Sequence, residues 1–304
     1  MNSKNRSNTL SKIGAFFFLL ILVSCNSGSS GGSKNKKLST EKLPEQAVGP
    51  EDDKPDLVTK DPEEICESKS LNKAVIGGEL NWYSRAEIQD FYEKENSQAV
   101  GQLYLPAVYA SCTAFLINEN TIMTNNHCVS SQWNLKDSKF KIYDRDGSRK
   151  TYTCNEFVIT DFQLDMTLIK CKGSPGRTHS YVRLETNPLS DFPPVYVVQE
   201  NCNYEADPYC VIDRYISYGD ILEKKSNRYV HTADTLKGSS GSPVISMSNH
   251  KVVALHHASS SPESDVVENY GVSMAVIVKF LKKNAPQVKI DTNLPPVDIN
   301  RGCI

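Results

Sequence analysis

The stretch Gly238-Ser239-Ser240-Gly241-Ser242-Pro243 predicts a nucleophile on a tight turn, because glycine permits positive φ and leaves room for a substrate carbonyl. Earlier in the chain, Thr124-Asn125-Asn126-His127-Cys128 joins a histidine to a cysteine that can fix it to its scaffold through a disulfide. A serine hydroxyl needs a general base within hydrogen-bond reach, usually histidine, and a third group that orients the base. Ser240 and His127 are therefore the candidate nucleophile and base, and the backbone N–H groups of Gly238 and Ser240 are the candidate oxyanion donors.

Two carboxylates that precede the serine, Asp161 and Asp165, are candidates for the third group. Asp165 opens the apolar run Met166 to Ile169, which is typical of a buried strand. A carboxylate at the mouth of such a strand is shielded from water, whereas Asp161 lies in a more polar stretch typical of a solvated loop. We therefore assign Asp165 as the partner of His127.

The chain order of His127, Asp165 and Ser240 resembles that of the trypsin-like serine proteases, the chymotrypsin superfamily. In the family, the histidine lies in an Ala-Ala-His-Cys-like stretch, which Asn125-Asn126-His127-Cys128 matches here. The family's aspartate opens an Asp-x-Ala-Leu-like strand, matched by Asp165-Met166-Thr167-Leu168. The family's serine lies in a Gly-Asp-Ser-Gly-Gly-Pro-like turn, matched by residues 238–243. The resemblance covers about residues 74 to 285. It implies two six-stranded Greek-key barrels with a C-terminal helix, and a serine endopeptidase activity.

One departure from the family concerns activation. Trypsin's relatives carry an aspartate just before the nucleophile, and this aspartate receives the N-terminal ammonium that zymogen cleavage releases. Ser239 occupies that position here, so the ion pair cannot form. Residues Ala74 to Gly78 nevertheless look like an activated N-terminus, and cleavage after Lys73 stays open as an activation step.

The residues around the serine resemble most the glutamyl endopeptidase branch of the family. In that branch a threonine and a histidine help to bind an acidic side chain, and Thr235 and His256 match those positions. Asp234 lies six residues before the serine, where trypsin has the aspartate that binds Arg or Lys. We expect all three to shape the specificity pocket, with an acidic preference first and a basic preference as the alternative. We interpret His257 as a surface neighbour.

The chain of 304 residues is 39% hydrophobic and 23% charged with a net charge of −2, which suits a globular protein and does not favour nucleic acid. Many short apolar runs broken by turns indicate an all-β domain. No residue cluster predicts a metal site or a cofactor, and we expect a monomer that acts on proteins or peptides. The alternative is a catalytically silent, protease-like binding module at the cell surface. An α/β-hydrolase esterase does not fit the order of the three residues.

The N-terminal residues predict export. Residues 1–24 combine a basic start with the apolar run Ile13 to Val23, which is too short for a membrane span of about 20 residues. The run ends in Leu22-Val23-Ser24-Cys25, which looks like a bacterial lipobox that would lipidate Cys25; an ordinary secretory signal is the alternative. Residues 25–70, poor in apolar side chains, predict a flexible tether to a protease domain over residues 71–304. The expected location is the bacterial cell envelope, lipid-anchored, or the exterior.

Nine cysteines agree with export, and eight remain if Cys25 carries lipid. The resemblance implies a disulfide between Cys112 and Cys128 beside the histidine. Eight cysteines allow many pairings, so the other three pairs are only a suggestion: Cys154 with Cys171, Cys202 with Cys210, and Cys66 with Cys303.

Overall fold

A computed structural model of the chain describes residues 75, 80–204, 206–260 and 267–293, all within the unit Lys60–Ile304. The predictions for the signal peptide, for Cys25 and the tether, for cleavage after Lys73 and for the pair Cys66–Cys303 lie outside the described residues. Within them, no helix is long and apolar enough to cross a membrane.

A short strand and a helix precede the first barrel: β1 (Tyr83–Ser84) and α1 (Phe91–Gln98). The barrel strands are β2 (Val100–Leu105), β3 (Ala110–Leu116), β4 (Thr121–Thr124), β5 (Lys139–Tyr143), β6 (Arg149–Asp161) and β7 (Met166–Cys171). They pair antiparallel in the order β2-β3-β4-β7-β6-β5, and β5 pairs back onto β2 to close the ring. In β5, Phe140 and Ile142 are buried while their neighbours are half-exposed, which is the alternation of a strand with one face in a core.

The second barrel follows the short helix α2 (Pro175–His179) and ends in the helix α3. Its elements are β8 (Pro194–Asn201), β9 (Asp213–Lys225), β10 (Arg228–His231), β11 (Pro243–Ser246), β12 (Val252–Ser259), β13 (Asn269–Ser273) and α3 (Met274–Asn284). The ring order is β8-β9-β10-β13-β12-β11, closed by the β8–β9 pairing, with β1 added beside β9. Both barrels therefore have the same strand order although the sequence has no recognisable repeat.

The predicted fold class, two six-stranded β-barrels with a C-terminal helix, is confirmed. The sequence pattern differs locally from the structure where Val100 to Ala110 reads as one strand. Pro106 ends β2 there and begins a turn of 3₁₀ helix, because proline has no N–H to give to the ladder.

A buried charge cluster joins the two barrels. Arg214 and Glu200, from the second barrel, are 1% and 0% exposed, and Arg214 Nε lies 3.2 Å from Glu200 Oε1. From the first barrel, Arg149 pairs with the other Glu200 oxygen, and the carbonyl of Val100 accepts a hydrogen bond from Arg214. Removing one partner from such a cluster leaves an uncompensated buried charge, which is strongly destabilising. Because the partners come from both barrels, the stability of the fold depends on the two barrels staying in contact.

Candidate active site

His127 and Asp165 meet in the first barrel through two hydrogen bonds. The Asp165 Oδ2 atom lies 2.8 Å from His127 Nδ1, and Oδ1 accepts a hydrogen bond from the His127 backbone N–H at 2.9 Å. The two bonds fix both the ring and the main chain of the histidine to one carboxylate. The His127 ring is 46% exposed and the Asp165 side chain 16%, so the acid is largely shielded from water while the histidine ring is accessible to solvent.

The loop that carries His127 is bonded to the strand that follows Asp165. Asn125 Nδ2 donates to the Asp165 carbonyl at 2.9 Å. Thr167, which replaces the alanine of the family motif, donates its hydroxyl to the carbonyl of Val129 at 2.6 Å. The threonine therefore adds a polar link between the two segments that the family's alanine could not provide.

Asp165 itself adopts an unusual backbone conformation, with φ of 43°, in the left-handed region that aspartate tolerates better than most residues. Its N–H donates to the carbonyl of Phe162 at 3.3 Å, which closes a turn just before β7. Burial raises the pKa of the Asp165 carboxyl, but hydrogen bonds from His127 and His257 outweigh burial and hold that pKa well below its usual value. Asp165 is therefore a carboxylate at neutral pH.

The turn around Ser240 relies on two glycines with positive φ, Gly238 at 106° and Gly241 at 87°. A Cβ on Gly241 would overlap the Thr113 carbonyl and the Thr124 hydroxyl of the first barrel, so only glycine fits where the barrels meet. In the part of the chain that the structure describes, the N–H groups of Gly238 and Ser240 donate to no other group. Both predicted oxyanion donors are therefore available to a ligand.

Ser239, between those two donors, is 0% exposed and its hydroxyl is fully used. It donates to Gln199 Oε1, and it accepts from Asn201 Nδ2 at 2.7 Å and from the Leu236 N–H at 3.1 Å. Gln199 continues the network to Ser217 Oγ at 2.9 Å. Internal hydrogen bonds from β8 thus hold the turn at the position where trypsin's relatives use an ion pair.

Ser240 contacts the first barrel through its main chain. Its carbonyl accepts a hydrogen bond from the Thr113 N–H at 2.9 Å. Thr113 follows Cys112, and the disulfide Cys112–Cys128 leads to the residue after His127. The Ser240 hydroxyl has no hydrogen-bond partner among the described residues, so no hydrogen bond joins it to His127 there.

Two more disulfides join Cys154 to Cys171 and Cys202 to Cys210, as the sequence suggests. Disulfides form and persist in oxidising compartments, so the three bridges indicate an extracytoplasmic protein.

The three predicted pocket residues are all buried. His256 Nδ1 lies 3.2 Å from Nε2 of His231, and burial lowers the pKa of His231 to about 3 and that of His256 well below 6.5. Thr235 donates its hydroxyl to Asn269 Oδ1 at 2.7 Å. The Asp234 carboxylate accepts a hydrogen bond from the Asn81 backbone N–H at 2.7 Å. The histidines are therefore neutral at neutral pH.

Sequence reasoning missed the place of His257. Rather than lying at the surface, its ring packs inside the site, with Nδ1 3.4 Å from Asp165 Oδ2 and a side chain only 8% exposed. The sequence carries one signal for this position, a second histidine directly after His256, the predicted pocket residue.

Comparisons with known proteins agree with the fold. Residues 112–255 match the family model of the Trypsin-like peptidase domain. The chain is 28% identical over 175 residues to Secreted RxLR effector protein 73 of Plasmopara viticola, a match that covers 51% of this chain and 43% of that protein. The chain thus spans less than half the length of this curated relative.

Among solved structures, a Glu endopeptidase in complex with MPD is similar with a TM-score of 0.55 and 20% identity, covering 69% of this chain and 97% of that one. Deg5 is similar with a TM-score of 0.48 and 16% identity, over 62% of this chain and 89% of that one. The two-barrel architecture therefore agrees with a trypsin-like fold, and residues 112–255 are similar to the Trypsin-like peptidase domain.

Proposed function

We propose that the protein is a serine endopeptidase that hydrolyses peptide bonds through Ser240, His127 and Asp165. The observation that carries the proposal is the double hydrogen bond by which Asp165 holds both the ring and the main chain of His127. This is the support that a general base needs to keep one tautomer and one orientation. The turn at Ser240, with two N–H groups left for a ligand, supplies the complementary half of the site.

In the proposed mechanism, the Ser240 hydroxyl attacks the scissile carbonyl while His127 Nε2 takes its proton. Asp165 stabilises the charged imidazole that results, and the N–H groups of Gly238 and Ser240 bind the oxyanion. His127 then gives the proton to the leaving amine, and an acyl-enzyme on Ser240 remains. Water, activated by His127, hydrolyses that ester and restores the serine. Each oxyanion donor contributes roughly 10²–10³ in rate.

The preference we propose is for an acidic residue before the scissile bond, with His256 as the recognising group. When His231 donates from Nε2 to His256 Nδ1, the proton of His256 is on Nε2, where it can donate to a carboxylate. Because His256 is neutral, it would recognise the substrate as a hydrogen-bond donor and not as a cation. The Thr235 hydroxyl already donates to Asn269, so Thr235 contributes shape and an acceptor.

A basic preference would require the Asp234 carboxylate to face the substrate. That carboxylate is 3% exposed and accepts the Asn81 N–H, which favours a structural role for it.

Labelling with a fluorophosphonate probe tests the serine mechanism. The full chain is expected to label, Ser240→Ala to lose the label, and Ser242→Ala, a matched change two residues away, to keep it. Absence of label on the unaltered, folded protein would favour the silent binding module.

A peptide-library digest tests the pocket. Cuts after Glu or Asp that are lost in His256→Phe support the acidic preference. Cuts after Arg or Lys that disappear in Asp234→Asn would instead show that Asp234 determines a basic preference.

We also propose that the protein is anchored to the cell envelope by a lipid on Cys25. Metabolic labelling with a fatty-acid analogue is expected to mark the unaltered chain, whereas Cys25→Ser is expected to be unlabelled and released from membranes. Labelling of the Cys25→Ser chain would contradict the assignment.

A further inference from the structure

A bulge in β12 directs the side chain of His257. In the pairing of β12 with β13, His256 is opposite Gly271 and Ala258 is opposite Tyr270, so His257 is the extra residue between two registered pairs. A bulge of this kind re-aims one side chain away from the regular alternation of the strand, and bulges are frequent beside active sites. Here the backbone irregularity falls two residues after Leu255, on the strand that also carries His256.

The ring that the bulge presents contacts the acid of the proposed triad. Nδ1 of His257 lies 3.4 Å from Asp165 Oδ2, the same oxygen that lies 2.8 Å from His127 Nδ1. The other carboxylate oxygen accepts the His127 backbone N–H. Two imidazoles from different barrels thus share one carboxylate, which has enough lone pairs for all three contacts.

The opposite end of the His257 ring has no competing polar partner. Its Nε2 atom is buried and makes no hydrogen bond to any described residue. A proton on Nε2 would be a buried donor without an acceptor, so the neutral ring with its proton on Nδ1 fits this environment better. In that tautomer the proton of His257 is on Nδ1, the ring nitrogen that lies 3.4 Å from Asp165 Oδ2. His256, the adjacent histidine, faces away toward His231 and does not supply this contact.

We propose that His257 is a positioning residue that holds the Asp165 carboxylate in the orientation required by His127; the proposal rests on the endopeptidase function above. His257 does not touch the reacting atoms. It adds an N–H donor from the second barrel to an acid of the first barrel, so the acid is held from both sides. Hydrogen bonds to charged groups are among the stronger ones in proteins.

The test compares two substitutions at this position. His257→Asn keeps an N–H donor near the place of Nδ1, whereas His257→Leu has similar bulk and no donor. With a fixed peptide substrate, we expect His257→Leu to lower kcat by about tenfold with little change in KM, because it removes the polar contact of His257 Nδ1 with the charged Asp165. His257→Asn is expected to stay within about threefold of the unaltered enzyme. Thermal melting of each variant verifies that the kinetics are those of folded protein.

The outcomes separate this inference from the endopeptidase assignment. If the unaltered chain neither cleaves peptides nor labels at Ser240, the endopeptidase assignment fails. If the unaltered chain is active and His257→Leu has the same kcat, the positioning role is refuted. An equal loss in both variants would also refute it, because the N–H donor would then be irrelevant. A rise in KM alone would assign His257 to substrate contact instead.

Discussion

Two serines in the nucleophile turn provide a matched pair for testing how the turn is held. Ser239 and Ser242 are both 0% exposed and stand on either side of Ser240-Gly241. The Ser239 hydroxyl makes three hydrogen bonds, whereas the Ser242 hydroxyl is buried without any partner among the described residues. Replacing each by alanine removes the same single atom from the same turn.

The expected change in the free energy of unfolding depends on which buried polar groups each substitution leaves without a partner. Without the Ser239 hydroxyl, Gln199 Oε1 still accepts from Asn201 Nδ2 at 2.9 Å. Only the Leu236 N–H loses its partner, and one buried unsatisfied donor costs about 1–3 kcal/mol. Deleting the Ser242 hydroxyl removes an unsatisfied group, so Ser242→Ala is expected to be neutral or stabilising by about 1 kcal/mol. A domain of this size changes its Tm by about 2–4 °C per kcal/mol.

Urea unfolding and thermal melting of the two variants, with peptide hydrolysis in parallel, give the comparison. We expect Ser239→Ala to melt about 2–12 °C lower. We also expect it to lose about tenfold in kcat, because the altered hydroxyl lies between the two proposed oxyanion donors. Ser242→Ala should match or exceed the unaltered melting temperature. Equal destabilisation by the two substitutions would refute the idea that the Ser239 network holds the turn.

Three further predictions concern pH, the interface between the barrels and activation. Burial lowers the pKa of His231 from 6.5 to about 3, so between these pH values the unfolded chain binds a proton that the folded chain does not. The free energy of unfolding should therefore fall with decreasing pH by up to about 1.4 kcal/mol per pH unit from this group, and urea titrations of His231→Phe should show a flatter dependence. Glu200→Gln breaks the buried pair with Arg214 and should lower the free energy of unfolding by about 3–5 kcal/mol; a variant that unfolds at the unaltered urea concentration would contradict this. Because the turn at Ser239 is held internally, Lys73→Gln should cleave peptides at the initial rate of the unaltered chain, and an inactive variant would show that cleavage there is required.

The sequence predicts the strands best where apolar and polar residues alternate between clear turns. The runs Thr121 to Thr124 and Lys139 to Tyr143 are two such segments, and they coincide with β4 and β5. The second half of β9 cannot be read from the sequence in this way, because its residues Asp220 to Lys225 are mostly charged and carry no strong apolar pattern. That segment is a strand because it pairs with β10, a partner that local composition does not reveal.

The sequence predicts those residues of the candidate site that lie in short sequence motifs. The order of His127, Asp165 and Ser240 anticipates the contact between the histidine and the acid, whereas their catalytic roles stay predictions. The Ser239 network joins a turn to Gln199, forty residues away in sequence, and no local pattern encodes that pairing. The contact of His257 with Asp165 could not be predicted for another reason: a one-residue bulge changes the direction expected of the His257 side chain.

Ser240 and His127 belong to different barrels, and each barrel has a closed hydrogen-bond ring of its own. A small separation of the two barrels would move the proposed nucleophile away from the proposed base while leaving both rings intact. Turnover should therefore vanish at a lower urea concentration than circular dichroism or tryptophan fluorescence changes. The rate of peptide hydrolysis would then report whether the two barrels are in contact. A substrate bound to both barrels would stabilise that contact and protect the chain against inactivation.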